Sequence, residues 1–170
     1  MKSAVFIDGA NLFATCQNLR IHIDYAKLIP ELTHRFETVL RAFYYTAVLE
    51  TEQSDHVPLI KLIDWLDYNG YSVITKPAKV WESQGIRHVK GNMDVEMVTD
   101  IVEMCPYVDR IILFTGDGDF RRIVEWAQSR GKIVTVISTI ETRPPMIADI
   151  LRRQADSFIE LKTFYEIHRS

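Results

Sequence analysis

At 170 residues, with 47% hydrophobic and 25% charged side chains and a formal net charge of -3, the chain has the size and make-up of one globular domain. Its apolar runs are strand-length and Met1-Lys2-Ser3 leads straight into one of them, which excludes a membrane span and a signal-peptide pattern and makes a cytoplasmic protein the expectation. The slight negative charge excludes a general electrostatic attraction to nucleic acid, so any such role must rest on local patches.

Ala4-Val5-Phe6-Ile7 is a continuous apolar run, the pattern of a strand covered on both faces, and it ends at Asp8-Gly9-Ala10-Asn11 before a helical segment. Tyr25 to Phe36 reads as a helix interrupted near Pro30, and Val39 to Val48 as a strand rich in aromatics. Ser54 or Asp55 is placed to cap the next helix, with Pro58 in its first turn, Leu59, Leu62, Ile63 and Leu66 on one apolar face, and Gly70 at its end. Tyr71 to Thr75 is a third strand, Lys76 to Lys90 a basic hairpin turning at Glu82-Ser83-Gln84-Gly85, and Asp94 to Cys105 a helix.

The apolar run Arg110 to Phe114 makes a fourth strand, and Thr115-Gly116-Asp117-Gly118-Asp119-Phe120 turns it into a helix that Gly131 closes. Ile133 to Ile137 is a fifth strand; Pro144 and Pro145 start a further helix with Ile147, Ile150 and Leu151 as its buried stripe. Phe158-Ile159 is a short last strand ahead of Lys162 to His168. Cys16 and Cys105 lack the paired spacing of a zinc site and read as buried free thiols. Strands alternating with helices along the whole length imply an α/β fold: a mainly parallel, Rossmann-like sheet with helices on both faces.

In such sheets ligands bind beyond the carboxyl ends of the strands, where the strand order reverses. Asp8 and Asp117 both stand at that edge, and an order of 3-2-1-4-5 makes their turns flank one crevice. Gly116 and Gly118 allow positive φ and close backbone approach, which lets a ligand sit against the main chain between Asp117 and Asp119; a turn residue followed by an N-cap is the alternative. On a helical wheel Val95, Val98, Ile101, Val102 and Cys105 centre close to Asp94, which turns that carboxylate inward unless it simply caps its own helix. Clustered carboxylates repel until protonated or bridged by a cation, and an all-oxygen set selects Mg²⁺ or Mn²⁺. That donor set suits attack of water on a phosphodiester, with Asn11 placed to hold a water or a phosphate oxygen.

Lys76, Lys79, Arg87, His88 and Lys90 surround Trp81 in the hairpin just before Asp94, the make-up of a platform for single-stranded nucleic acid. An ordinary solvated hairpin with Trp81 packed on the body has the same composition. Arg121 and Arg122 fall in a first helical turn, where the dipole disfavours cations, which points to a bound anion or to surface arginines without a role.

Phe6-Ile7-Asp8-Gly9-Ala10-Asn11, Lys90-Gly91-Asn92-Met93-Asp94-Val95, Thr115-Gly116-Asp117-Gly118-Asp119-Phe120 and Ala155-Asp156-Ser157-Phe158, in this order, resemble the NYN domain in its bacterial LabA-like branch. The resemblance spans nearly the whole chain, so residues 1–170 are read as a single domain. It implies a PIN-like nuclease fold of strand order 3-2-1-4-5 and a Mg²⁺ or Mn²⁺ site for cleaving RNA. Carried over by motif, Asp8, Asp94, Asp117 and Asp119 are the acidic set, catalytic and metal-binding, with Asn11 as polar helper. Lys76, Lys79, Trp81, Arg87, Lys90, Arg121 and Arg122 are the residues we assign to the substrate. Asp100 falls where this branch often has an acid, but its wheel position off the Asp94 face leaves it out. Asn92-Met93 departs from the commoner spacing before the aspartate, which bears on where the helix starts. An RNA-binding or regulatory module that keeps the metal site but turns over little is the alternative, and homodimerisation is left open. A phosphatase of the haloacid dehalogenase type would need an aspartate two residues after Asp8, where this chain has Ala10.

Overall fold

The computed structural model describes residues 1–49, 57–164 and 167–169. β1 (Lys2–Asp8) is the axis: Ala4 to Ile7 are fully buried, because both faces of the strand are covered. α1 (Gly9–Leu19), the two-residue β2 (His22–Ile23) and α2 (Tyr25–Phe36) lead to β3 (Thr38–Val48), and α3 (Val57–Tyr68) to β4 (Ser72–Pro77). Asp24 caps α2, which runs unbroken through Pro30: the proline lies on the solvent side while Leu28 and Leu32 are fully buried, so packing outweighs the one lost backbone hydrogen bond. Ser54 and Asp55, expected to cap α3, lie outside the described residues.

β5 (Lys79–Ser83) and β6 (Ile86–Lys90) form the hairpin, turning through Gln84 and Gly85, both at positive φ as the tight turn requires. α4 (Asp94–Met104) returns to β7 (Arg110–Phe114), followed by α5 (Arg121–Gln128), β8 (Ile133–Ser138), α6 (Asp149–Gln154) and β9 (Ser157–Glu160). A closing strand, β10 (His168–Arg169), pairs antiparallel with β2. α6 starts at Asp149 and not at Pro144-Pro145, since a residue before proline is driven out of the helical region. Ile147 and Leu151 are buried as expected, but Ile150 is 54% exposed.

The central sheet has six strands in the order β4-β3-β1-β7-β8-β9, every neighbouring pair parallel. Counted along the sheet's own strands this is 3-2-1-4-5 with a sixth at the edge, the expected PIN-like arrangement. α4, α5 and α6 cover one face, packing on Ala4, Phe6, Leu113, Val134 and Val136. α1, α2 and α3 cover the other, against Val5, Ile7, Phe114 and Ile137. Cys16 and Cys105 are buried free thiols. The strand order reverses between β1 and β7, so their carboxyl ends, at Asp8 and Thr115, border the crevice of the fold. Among the described residues no helix is long and apolar enough to cross a membrane.

Candidate functional site

Two turns are tied together across that crevice. Asp8 ends β1 and caps α1, its Oδ1 accepting the Asn11 backbone N–H at 3.3 Å, while Oδ2 accepts the Thr115 hydroxyl at 3.1 Å. The same Thr115 oxygen accepts the Asp117 backbone N–H at 3.2 Å, and Asn11 Oδ1 accepts the Gly116 N–H at 3.0 Å. Asp117 then caps the next turn by accepting the Asp119 N–H at 2.9 Å. The N-cap geometry considered as an alternative is therefore present, at Asp117 one residue pair earlier than expected, and it leaves Asp117's other oxygen for further use.

Gly116 and Gly118 do not have positive φ; close approach is what they provide. A Cβ on Gly116 would lie 2.1 Å from the Met146 carbonyl oxygen, and one on Gly118 3.1 Å from Ala148 Cβ and Ile150 Cδ1. What approaches these glycines is the protein's own β8–α6 connection, not the space between the aspartates. Ala148 N–H donates to the Gly116 carbonyl at 2.9 Å and fixes that contact.

Asp94 is the first residue of α4, and Asn92 holds it from both sides: Asn92 Oδ1 accepts the Asp94 N–H at 2.7 Å and Nδ2 donates to Asp94 Oδ2 at 3.3 Å. The buried stripe of α4 is Met93, Met97 and Ile101, whereas Val95 is 75% exposed and Val102 41%. Of the expected face, Ile101 and Cys105 are buried and Val98 packs on the core, while Val95 and Val102 face solvent, so the apolar face is shifted towards Met93 and Met97. Asp94 stands at the margin of the apolar stripe and reaches the crevice because the helix begins at the sheet's carboxyl edge. Asp100 lies on the inward side of the same helix and accepts the Tyr45 hydroxyl at 2.7 Å, anchoring α4 to β3.

Carboxylate oxygens of Asp94, Asp117 and Asp119, one from each, all lie within 4.8 Å of one another. Asp8 sits deeper, beside this trio, and feels the charges of Asp94 and Asp117. Burial pushes the Asp8 carboxyl above the ordinary aspartate range, against the pull of Asn11 and Thr115, and the two neighbouring aspartates push it further. Burial likewise raises Asp94, with Asp117 next in weight and Asn92 opposing. Three oxygens at this spacing, in no ion pair with any described cation and backed by a fourth, half-buried carboxyl, are a donor set that a hard divalent cation fits.

The residues expected to hold substrate are more dispersed. Lys76 Nζ is paired with Glu96 at 3.0 Å, so its charge is directed onto α4. Lys79 lies opposite Lys90 in the hairpin register, and Trp81 opposite His88, their rings stacked at 5.3 Å. Those four side chains share one face of the ribbon, whereas Arg87 stands across from Glu82 on the other. Trp81 is 45% exposed, so it is not packed into the body. Arg121 and Arg122 both face Glu125, at 3.8 and 3.0 Å, which gives these first-turn cations a local partner. Sequence reasoning missed Thr115, whose signal was a hydroxyl residue between the apolar β7 and the Gly-Asp turn. Asn92 was missed as an anchor too, although an amide two residues before an aspartate is a recurrent capping pattern.

The NYN domain model matches residues 2–162. The low amplitude and bright protein LabA of Synechococcus elongatus is 34% identical over 162 residues, covering 93% of this chain and 82% of that protein. A crystal structure of a protein of unknown function from Vibrio parahaemolyticus superposes with a TM-score of 0.75 at 28% identity, covering 99% of this chain and 96% of the other. Family match, parallel sheet and acidic crevice agree: the chain belongs to the NYN domain family, as a LabA-like member with a nuclease-like acidic cluster.

Proposed function

We propose that this protein, acting as one domain over residues 1–170, is a metal-dependent ribonuclease that hydrolyses single-stranded RNA in the cytoplasm. The observation that carries the reading is the convergence of Asp94, Asp117 and Asp119 within 4.8 Å at the switch point of a parallel sheet, with Asp8 half-buried beside them. These residues would hold Mg²⁺ or Mn²⁺, which when bound supplies charge stabilisation for a phosphoryl group and an acidified water. Asp8, with its raised carboxyl, is suited to take a proton from the attacking water. A P–O bond to that water forms as the P–O bond to one sugar oxygen breaks, and the proton ends on the departing oxygen. Asn11 holds the two turns in register through Gly116 and keeps its Nδ2 arm for a phosphate oxygen or water. The hairpin face bearing Lys79, Trp81, His88 and Lys90 supplies cations and a stacking surface to the single strand. Arg121 and Arg122 can turn from Glu125 towards phosphate at the cost of exposed ion pairs.

The test is cleavage of a panel of labelled RNAs by wild type, Asp8→Asn and Asp117→Asn, with Mg²⁺, with Mn²⁺ and with chelator. Metal-dependent cleavage by wild type that both variants lose supports the proposal. Equal cleavage by all three proteins identifies a contaminant. RNA binding without cleavage under either metal supports instead a binding module that has kept the acidic site.

A further inference from the structure

On the sheet face opposite α4, α1, β2, the start of α2 and α3 border an open cavity of about 610 Å³, lined among the described residues by Phe13, Gln17, Arg20, His22, Tyr25 and Tyr44 together with Cys16 and aliphatic side chains. That volume lies in the range of small-ligand sites, and a mostly apolar wall with a few polar groups is their usual composition. Phe13, 63% exposed, lies five residues along α1 from Asp8, about 7.5 Å of helix rise. Tyr44 forms the wall nearest the acidic crevice. Its phenol feels the charge of Asp8, and a Cβ on Gly9 would come within 2.7 Å of its Cζ. Tyr44 thus stands between the cavity and Asp8.

Arg20 adds the cation. It is the C-cap of α1, in the left-handed region at φ 57 and ψ 44, where glycine is the usual occupant. An arginine here carries a backbone cost that glycine would not, and it brings a guanidinium to the cavity that forms no ion pair with any described residue. An exposed aromatic ring, a guanidinium and the amide and imidazole of Gln17 and His22 are what a nucleotide requires: a surface for the base, a cation for phosphate and hydrogen-bonding groups for the base edge.

We propose that this cavity receives one nucleotide of the RNA a few positions away from the bond being cut, its base stacked on Phe13 and its phosphate held by Arg20, about 18 Å of helix rise from Asp8. The inference rests on the ribonuclease reading for its substrate and adds a determinant of which base is accepted. The hairpin follows β4 and leads into α4, which packs on the opposite sheet face from α1 and α3, so the strand would meet the two surfaces at different points of its path.

The experiment measures binding of labelled single-stranded RNAs by fluorescence anisotropy in chelator, for wild type, Phe13→Ala and Arg20→Gly, with ribonucleoside 5′-monophosphates as competitors. Cleavage by the same proteins is then followed with Mn²⁺. Arg20→Gly suits the left-handed backbone and should fold at least as well as wild type. Each variant should bind RNA about tenfold more weakly, the order expected for one lost stacking or phosphate contact. KM for cleavage should rise with kcat within about twofold, and the preferred cut positions should change. RNA binding and cut positions unchanged in both variants would overturn the proposal, as would no RNA binding by wild type. Competition by free nucleotides with RNA affinity unaffected by either substitution would assign the cavity to a small effector and also overturn it. Weakened RNA binding in both variants without cleavage by wild type would retire the ribonuclease reading and leave the nucleotide site standing.

Discussion

Thr115 holds two aspartates at once: its hydroxyl donates to Asp8 and accepts from the Asp117 backbone, and it is itself 1% exposed. Thr115→Val keeps the shape and removes both hydrogen bonds, leaving the Asp117 N–H and one oxygen of the half-buried Asp8 carboxyl without their partner. The expected cost is about 1–3 kcal/mol in chemical unfolding, with a larger proportional loss of metal-dependent cleavage because both aspartates lose their orientation. A variant with wild-type stability and activity would mean that neither bond matters in solution. Gly116→Ala acts through space. Its Cβ would meet the Met146 carbonyl at 2.1 Å, and that oxygen belongs to backbone. The β8–α6 connection must move, so a destabilisation of about 2 kcal/mol is expected, together with loss of the Ala148–Gly116 hydrogen bond, which amide exchange at Ala148 would report.

At the scale of elements, the hairpin of β5 and β6 stands out because nearly every residue in it is exposed, and a two-stranded ribbon contributes little to the body's stability. Trp81→Ala should therefore leave the unfolding free energy within about 0.5 kcal/mol of wild type, while weakening single-stranded RNA binding roughly fivefold or more. Unchanged binding would remove the hairpin from the substrate path. The hairpin was legible in the sequence because Gln84-Gly85 between alternating residues is a turn signal of chemical origin. α4 was less legible. Its buried stripe uses Met93 and Met97, whereas the valines that set the wheel, Val95 and Val102, face solvent; hydrophobicity alone does not say which side of Asp94 the sheet lies on. Asp100 was set aside for the same reason, although its bond to Tyr45 puts it inward. The proline pair misled in another way, since Pro144 and Pro145 belong to the connection that packs on Gly116, and that contact lies far off in sequence.

For the molecule as a whole, the order of strands and the meeting of the Asp8 and Asp117 turns could be anticipated, because strand–turn–helix alternation and the carboxyl-edge rule are local and topological. The cross-ties through Thr115 and Asn11 depend on side-chain distances that only the folded chain defines. The covered sheet faces also set a pH dependence. Burial pushes the Cys16 thiol up to about 11 and the Tyr44 phenol up to about 12, and raises Tyr25, Tyr45 and Tyr71 as well. The folded state keeps these protons where the unfolded chain releases them. The stability they support is intact below pH ~9 and is lost as pH rises from there through about 11 for Cys16, and from about 10 to 12 for Tyr44. Unfolding midpoints measured across that range should fall, and the tyrosinate absorbance of Tyr25, Tyr44, Tyr45 and Tyr71 should appear only as the fold opens. All tyrosines titrating together below the unfolding transition would contradict the burial.

The central claim is that Asp94, Asp117 and Asp119 form one divalent-cation site with Asp8 behind it, and calorimetric titration of Mn²⁺ into the purified protein tests it most directly. Wild type should bind with a saturable isotherm, and Asp94→Asn, Asp117→Asn and Asp119→Asn should each weaken it by about tenfold or more, since each removes one charged oxygen ligand. Asp8→Asn should weaken it less. Three aspartate variants that bind Mn²⁺ as wild type does, with their folds intact, would contradict the account.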